Sequence, residues 1–422
     1  MAPFMMRLLY NLLLIPLLPL AMYKLYWPKV GKPNVGKRWL EHFGFSLKVS
    51  QVDIWLHTVS VGEVIAATPL ITQLKQQQPS LNILLTTTTA TGTEQVGAKL
   101  GELVTHRYAP FDLWPCVKLF INKHQPKQLW IMETELWPNW LNVCQGNNIP
   151  VSLINARMSQ RSCQRYLRFA GFSKSLFTKL SLVLAQHQDD AQRFNQLGVA
   201  AANLQVSGSI KYDLPNTDAL QLQATEIRKQ LLGERLVWIA ASTHKGEDEL
   251  ILDIMQKVRN QLPDSLLVLV PRHPERFEQV AELIADRGFS YSRRSLQQTV
   301  APDQAVYLAD SMGEMMLMYG CADTAFIGGS LVNIGGHNYL EAAAMRLPCV
   351  AGEYDFNFSD ISQQLQACGA LKLSADTEQL ANWIKAWLSD ENARKKAGEA
   401  GLGIVKQNQG ALARSLDALL NH

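Results

Sequence analysis

TAFIGGSLVNIGGHNYLE, residues 324–341, reads as an apolar strand that ends in two glycine turns, Gly328-Gly329 and Gly335-Gly336, and then feeds a helix-forming run beginning at Tyr339. That order leaves backbone N–H groups and the positive end of a helix dipole aimed at one place, where an anion such as a phosphate is the natural occupant. Asn338 and Glu341 stand one helical turn apart on the same face. A tight turn without a ligand explains one glycine pair well, and two pairs less well.

The same alternation extends outward in both directions. Val52–Thr58, Ile83–Thr87, Leu129–Met132, Val151–Ile154 and Leu182–Ala185 read as one set of strands; Leu236–Ala241, Leu266–Val270, Ala305–Leu308, Thr324–Ile327 and Pro348–Ala351 read as a second. Helical patterns separate them, so the expected fold is α/β: two doubly wound Rossmann-like domains, parallel-sheeted, with ligands at the carboxyl ends of the strands in an interdomain cleft. A length of 422 residues fits two cores. The expected boundaries are 1–39 for a membrane anchor and basic juxtamembrane segment, 40–207 for the first domain, 208–221 for a hinge carrying Pro215 and Asn216, and 222–422 for the second, its last helix expected to pack back on the first.

The formal charge of +3 conceals an asymmetry. Residues 1–40 hold Arg7, Lys24, Lys29, Lys32, Lys37 and Arg38 and no acid, so the remainder is net acidic. Leu8 to Tyr23 is almost wholly aliphatic, broken by Pro16 and Pro19 and ended by Tyr23, Tyr26 and Trp27. The run falls short of the roughly 20 residues that span a bilayer, and no small-x-small cleavage site follows it. It is expected to be a single uncleaved N-terminal anchor, spanning or lying in the interface, its aromatics at headgroup level. Six scattered cysteines without a Cys-x-x-Cys pair predict a reduced compartment and no structural zinc.

Candidate chemistry lies where strands end. Ser60-Val61-Gly62-Glu63 is either a capping box or a carboxylate placed to take a proton from an acceptor hydroxyl, and the two roles are compatible; Thr91 with Glu94 repeats the box. Glu133-Thr134-Glu135 puts two carboxylates after another strand, either functional or a cap for the Trp137–Leu141 segment. From Leu136 to Gln188 there is no acid, while Arg157, Arg161, Arg165 and Arg168 fall at helical spacing. Such a stripe is either a solvated face or a receptor for phosphates or a membrane surface; the net acidic remainder argues against nucleic acid. Pro271-Arg272-His273-Pro274 sets a guanidinium and an imidazole at a strand end, or is a stiff surface turn. Ser242-Thr243-His244 and Ser311-Met312-Gly313-Glu314 are two further strand-to-helix turns; with Gly335 and Gly336 they outline a nucleotide pocket.

Ser60 to Glu63, Met132 to Asn139, Asn155-Ala156-Arg157, Gly208 to Asp213, Pro271 to Phe277 and Gly328 to Glu341 together resemble, in order and over essentially the whole chain, the 3-deoxy-D-manno-octulosonic acid (Kdo) transferases of Gram-negative bacteria. The resemblance implies a GT-B fold, CMP-Kdo as donor, and a tetraacylated lipid A precursor, lipid IVA, as acceptor at the cytoplasmic face of the inner membrane. It implies that Glu63 is the catalytic base, that Glu133 and Lys211 stabilise the transition state, and that Arg272, His273, Met312, Gly313, Glu314, Asn338, Tyr339, Leu340 and Glu341 hold CMP. The absence of an Asp-x-Asp pair predicts metal-independent inverting transfer, with no cofactor. Alternatives on the residues alone are a transferase using a UDP sugar, a dinucleotide-dependent oxidoreductase, disfavoured because Val59-Ser60-Val61-Gly62 is not a Gly-x-Gly-x-x-Gly turn, and a membrane adaptor.

Overall fold

The computed structural model describes residues 10–27, 33–214 and 217–422. Arg7, Leu8, Lys29 and Lys32 of the basic, apolar N-terminus and Pro215-Asn216 of the hinge lie outside the described residues. The chain divides into two compact units, one ending at Asp213 and rejoined by Gln409–His422, the other Leu214–Asn408.

The first unit is a seven-stranded parallel sheet in the order β3-β2-β1-β4-β5-β6-β7, with β1 Ile54–His57, β2 Ile83–Thr87, β3 Thr105–Tyr108, β4 Gln128–Met132, β5 Val151–Ala156, β6 Leu182–Ala185 and β7 Leu204–Val206. Period-two alternation sorts its side chains to two faces. Trp55, Leu84, Leu129, Ile131, Leu153 and Val183 pack with Phe120, Trp140, Phe177 and Phe194 on one side. Ile54, Leu56, Leu85, Trp130, Met132 and Ile154 pack on the other with Val64, Leu70 and Leu74 of the helix Val61–Gln77. The C-terminal helix Ala411–Leu420 adds Leu416 and Leu419 to that second layer, and Asp213 accepts from its Gly410 and Leu412 N–H groups. The threonine run has local duties: buried Thr86 accepts from Trp55 Nε1 and bonds His57 Nδ1, and Thr89 caps the helix Ala90–Leu100. The cap is therefore Thr89, two residues before the expected Thr91.

The second unit repeats the plan, in the order β10-β11-β9-β8-β12-β13-β14, with β8 Val237–Thr243, β9 Leu266–Pro271, β10 Tyr291–Arg293, β11 Val306–Leu308, β12 Thr324–Ile327, β13 Cys349–Ala351 and β14 Leu371–Leu373. Trp238, Leu267, Leu269, Leu308 and Phe326 anchor its core.

Pro16 and Pro19 divide the apolar N-terminus into helical residues 10–14, a turn at 15–17 and the helix Leu18–Tyr26. A proline lacks the N–H and clashes with the preceding turn, so one long helix cannot form here. No helix among the described residues is long and apolar enough to cross a membrane, so a single spanning anchor is not supported. Instead the segment is tied to the first unit at both ends. Tyr10 Oη donates to Asp112 Oδ2 at 2.7 Å and Asn11 bonds Asn139, while Tyr26 Oη bonds His42 Nδ1 at 3.0 Å. Between these ties Leu12, Leu13, Ile15, Leu17, Leu20 and Tyr23 stay exposed.

Candidate active site

In a doubly wound sheet the crevice opens where strand order reverses. In the first unit that is between β1 and β4, so the turns after His57 and Met132 line it. The first delivers Glu63. Ser60 caps the helix by accepting from Glu63 N, and the Glu63 carboxylate reaches back to Val59 N at 2.8 Å and Ser60 Oγ at 3.0 Å. The cap therefore forms, with the return bond going to the N–H before the capping residue, and it holds the carboxyl at the mouth of the crevice with only 7% of the residue exposed. Burial pushes this carboxyl up to about 7, against the pull of the Val59 N–H, and the charges of Glu133 and Glu135 push the same way. A cap and a poised base are here one group.

Glu133 follows β4 with φ +57°, a left-handed backbone that costs a non-glycine residue about 1–2 kcal/mol. β4 has ended by this point, so the two-residue spacing of Glu133 and Glu135 does not by itself put them on one face. Neither carboxylate caps the helix Pro138–Gly146: Asp112 does, accepting from Asn139 N and Trp140 N. Thr134 Oγ1 donates to the Arg157 carbonyl and accepts from Arg157 N, and Glu133 N donates to the Ile154 carbonyl. The turn carrying Glu133 is thus fastened to β5. Buried Asn155, also left-handed at φ +55°, accepts at Oδ1 from Ile210 N, 3.2 Å away, which fixes the short turn Ile210–Tyr212 bearing Lys211. Glu63, Glu133 and Glu135 therefore share one electrostatic neighbourhood, and Asn155 links β5 to the Lys211 turn.

The arginine stripe is shorter than the spacing predicts. Ser159 caps a helix confined to Gln160–Leu167, leaving Arg157 before it and Arg168 at its end. Arg161 and Arg165 share that helix, and all four arginines are exposed.

In the second unit strand order reverses between β8 and β12, where the turns after Thr243 and Ile327 meet. Wholly buried Glu247 organises both. Its carboxylate accepts from His244 N at 2.9 Å, Gly329 N at 2.7 Å, Ser330 N at 3.0 Å and Leu331 N at 2.9 Å. The Gly329 carbonyl in turn accepts from Gly335 N and Gly336 N. The expected cradle of bare amides is therefore not formed by these residues, because the protein's own carboxylate and carbonyl take them. Gly335 is required at φ +102°, where a Cβ would lie 2.4 Å from the exposed Phe356 ring.

Positive charge reaches this place through side chains. Arg272 and His273 are exposed just after β9, and Arg272 N donates to the Thr243 carbonyl. His244 and His337 touch, Nε2 to Nε2 at 2.8 Å, with rings parallel within 9°, and His273 meets His244 edge-on at 5.3 Å between centroids. Asn338 caps the helix Tyr339–Ala344 and donates to Glu341 Oε1 at 3.2 Å. Tyr339 and Leu340 are wholly buried, main chain included, and Leu340 N donates to Asn338 Oδ1. Met312 and Gly313 are exposed, whereas Glu314 is held by Arg294 in a two-point contact at 3.0 and 2.7 Å. Asp112, Glu247 and the contact of His244 with His337 escaped the sequence reading, which places His244 in a pocket-lining turn. The one signal for Glu247 was its place, three residues after His244 at the end of the first strand of the second set.

Residues 37–214 match a family model described as 3-deoxy-D-manno-octulosonic-acid transferase (kdotransferase), and residues 235–403 match that of glycosyl transferases group 1. The 3-deoxy-D-manno-octulosonic acid transferase of Haemophilus influenzae is 42% identical, over 98% of this chain and 98% of its own. That of Bordetella pertussis is 33% identical, over 87% and 86%. Among solved structures, the UDP-GlcNAc 2-epimerase of Neisseria meningitidis bound to UDP-GlcNAc superposes with a TM-score of 0.56 at 13% identity, covering 88% of this chain and 100% of that one, a likeness of fold alone. The chain is a glycosyltransferase of GT-B fold and belongs to the 3-deoxy-D-manno-octulosonic acid transferase family.

Proposed function

We propose that the enzyme moves Kdo from CMP-Kdo to a lipid A precursor, lipid IVA, in lipopolysaccharide assembly, by inverting, metal-independent transfer in which Glu63 is the base. The observation that carries this reading is the buried Glu63 carboxyl at the reversal point of the first sheet, its pKa raised to about 7. Ionised, it takes the proton of the acceptor hydroxyl. The oxygen attacks the sugar's anomeric carbon, and the electron pair of the breaking C–O bond leaves on the CMP phosphate. Glu133 and Lys211 are assigned to the developing charges, and Arg272, His273, Met312 to Glu314, Gly335, Gly336 and Asn338 to Glu341 to the nucleotide. Residues 40–207 are assigned to the acceptor and 222–422 to the donor. A cytidylate already leaves well, so catalysis reduces to positioning and charge stabilisation.

CMP is expected to raise the thermal midpoint more than UMP or UDP at equal concentration, since only a ligand of the folded state stabilises it. A larger shift with UDP would favour a UDP-sugar transferase. The pH profile is a second check. The active base is the ionised carboxylate, so kcat/KM should rise with pH through about 7 and then level off. Glu133→Gln removes a charge that raises the Glu63 pKa, so the midpoint should move to lower pH. A flat profile between pH 5.5 and 8.5, or a midpoint unmoved in the variant, contradicts the assignment.

The N-terminal segment is assigned to the cytoplasmic face of the inner membrane as an interfacial anchor. Its exposed Leu12, Leu13, Ile15, Leu17 and Leu20 and the exposed Trp27 fit a surface-lying segment. Reversing Arg161 and Arg165 to glutamate should weaken sedimentation with anionic vesicles, or raise the acceptor KM, most steeply at low salt. No change in either would remove these arginines from the acceptor or membrane contact.

A further inference from the structure

The second unit holds a pair of touching imidazoles, His244 and His337, to which the transfer chemistry above gives no role. An Nε2···Nε2 separation of 2.8 Å between His244 and His337 requires one nitrogen to carry hydrogen and the other a lone pair, because two N–H groups would point at each other. The free pair is neutral and hydrogen-bonded to itself. Basic side chains surround it: Arg272 acts electrostatically on both rings, His273 meets His244 in edge contact, and Arg276 lies nearby with its charge committed to Asp248. The neighbouring acids are engaged or displaced. Glu247 takes four main-chain N–H groups, Glu341 is bonded by Asn338 and lies near Arg272, and Glu275 stands 3.9 Å from His273 at the exposed rim. Among the described residues no group of three His, Cys, Asp or Glu side chains is arranged to hold a metal ion. A basic cluster at a strand-order reversal, its acidic neighbours bonded elsewhere or at the rim, is suited to an anion.

We propose that the His244–His337 pair is the phosphate receptor of the nucleotide site and takes up one proton when a nucleotide's phosphate docks, the self-contact opening so that an imidazolium N–H meets a phosphate oxygen. This rests on the donor lying on the second unit. Burial first, and then the neighbouring cations, hold both imidazoles at about 4 in the free protein. A dianion in their midst reverses the sign of the local field and raises them. The linkage then has a defined direction. Between the free and bound pKa values, affinity for a phosphate-bearing ligand strengthens as pH falls, by up to about tenfold per unit for one proton. The phosphate itself contributes the opposite sign, since meeting cations makes it release a proton.

Calorimetry of the full chain with CMP, UMP, cytidine and uridine, each at pH 7.5 in two buffers of different ionisation enthalpy, reads the proton count directly. The expected result is close to one proton taken up with whichever nucleotide binds and none with its nucleoside. His244→Asn and His337→Asn should each abolish the uptake and weaken the nucleotide about tenfold while leaving nucleoside affinity and thermal midpoint near wild type. A nucleotide that binds without uptake, uptake that persists in both variants, or binding of neither nucleotide overturns the proposal. Preference for UMP over CMP, with uptake intact, would count against the cytidylate donor and support the pair.

Discussion

Glu63→Gln is expected to lower turnover by about 100- to 10,000-fold, the usual contribution of a positioned general base, with little change in thermal midpoint. The choice of glutamine follows from the two roles of the residue. As the reciprocal member of a capping box, Glu63 accepts from Val59 N and Ser60 Oγ, and an amide oxygen can keep one of these contacts, which is why capping boxes tolerate Gln at this place. As a base it must remove a proton, which an amide cannot do. Glu63→Ala would lose both roles and cost roughly 1 kcal/mol of helix stability as well, so the alanine variant alone would confound them. CMP affinity, a property assigned to the second unit, should be unchanged in either. Near-normal turnover in a folded Glu63→Gln protein would leave the carboxylate as a cap and nothing more.

Glu247→Gln is expected to be the most damaging single-atom exchange in the second unit. Four main-chain N–H groups converge on that carboxylate; the amide offers one oxygen, and its NH2 opposes donors with donors. Each buried donor left unsatisfied costs about 1–3 kcal/mol. Unfolding of this unit should therefore come several degrees lower, since about 2–4 °C accompanies each kcal/mol in domains of this size. Its functional cost should exceed its structural one. The turn that Glu247 holds bears the Gly329 carbonyl, which places Gly335 and Gly336, and through them His337. CMP should bind more than tenfold more weakly even well below the melting temperature, with partial recovery in Glu247→Asp. Wild-type CMP affinity in the glutamine variant would mean that the turn stands without its carboxylate.

The central strands of both sheets announce themselves in the sequence as continuous apolar runs, because parallel strands covered on both faces have no polar side to show. The strands that do not announce themselves are β3, β7, β10 and β14, which are the four sheet edges. Thr105-His106-Arg107-Tyr108, Leu204-Gln205-Val206, Tyr291-Ser292-Arg293 and Leu371-Lys372-Leu373 are short and carry polar or charged residues, as edges tend to. Only the register with a neighbour makes them strands.

At the site, sequence spacing located the turns and misjudged what fills them. Ser60 with Glu63 was legible as a cap because its bonds are local. The partners of Gly329 to Leu331 were not, because Glu247 lies more than eighty residues away in sequence. Nor was the contact of His244 with His337, which depends on β8 and β12 being neighbours. The arginines failed differently: the helical spacing of Arg157, Arg161, Arg165 and Arg168 ignores Ser159, whose cap starts the helix after Arg157.

Mass spectrometry of a tetraacylated lipid A precursor incubated with the enzyme and CMP-Kdo tests the whole account in one step. The expected result is an acceptor heavier by one or more Kdo residues, with CMP released in equal number and no added metal required. An acceptor unchanged by CMP-Kdo but glycosylated when a UDP sugar is supplied would contradict it.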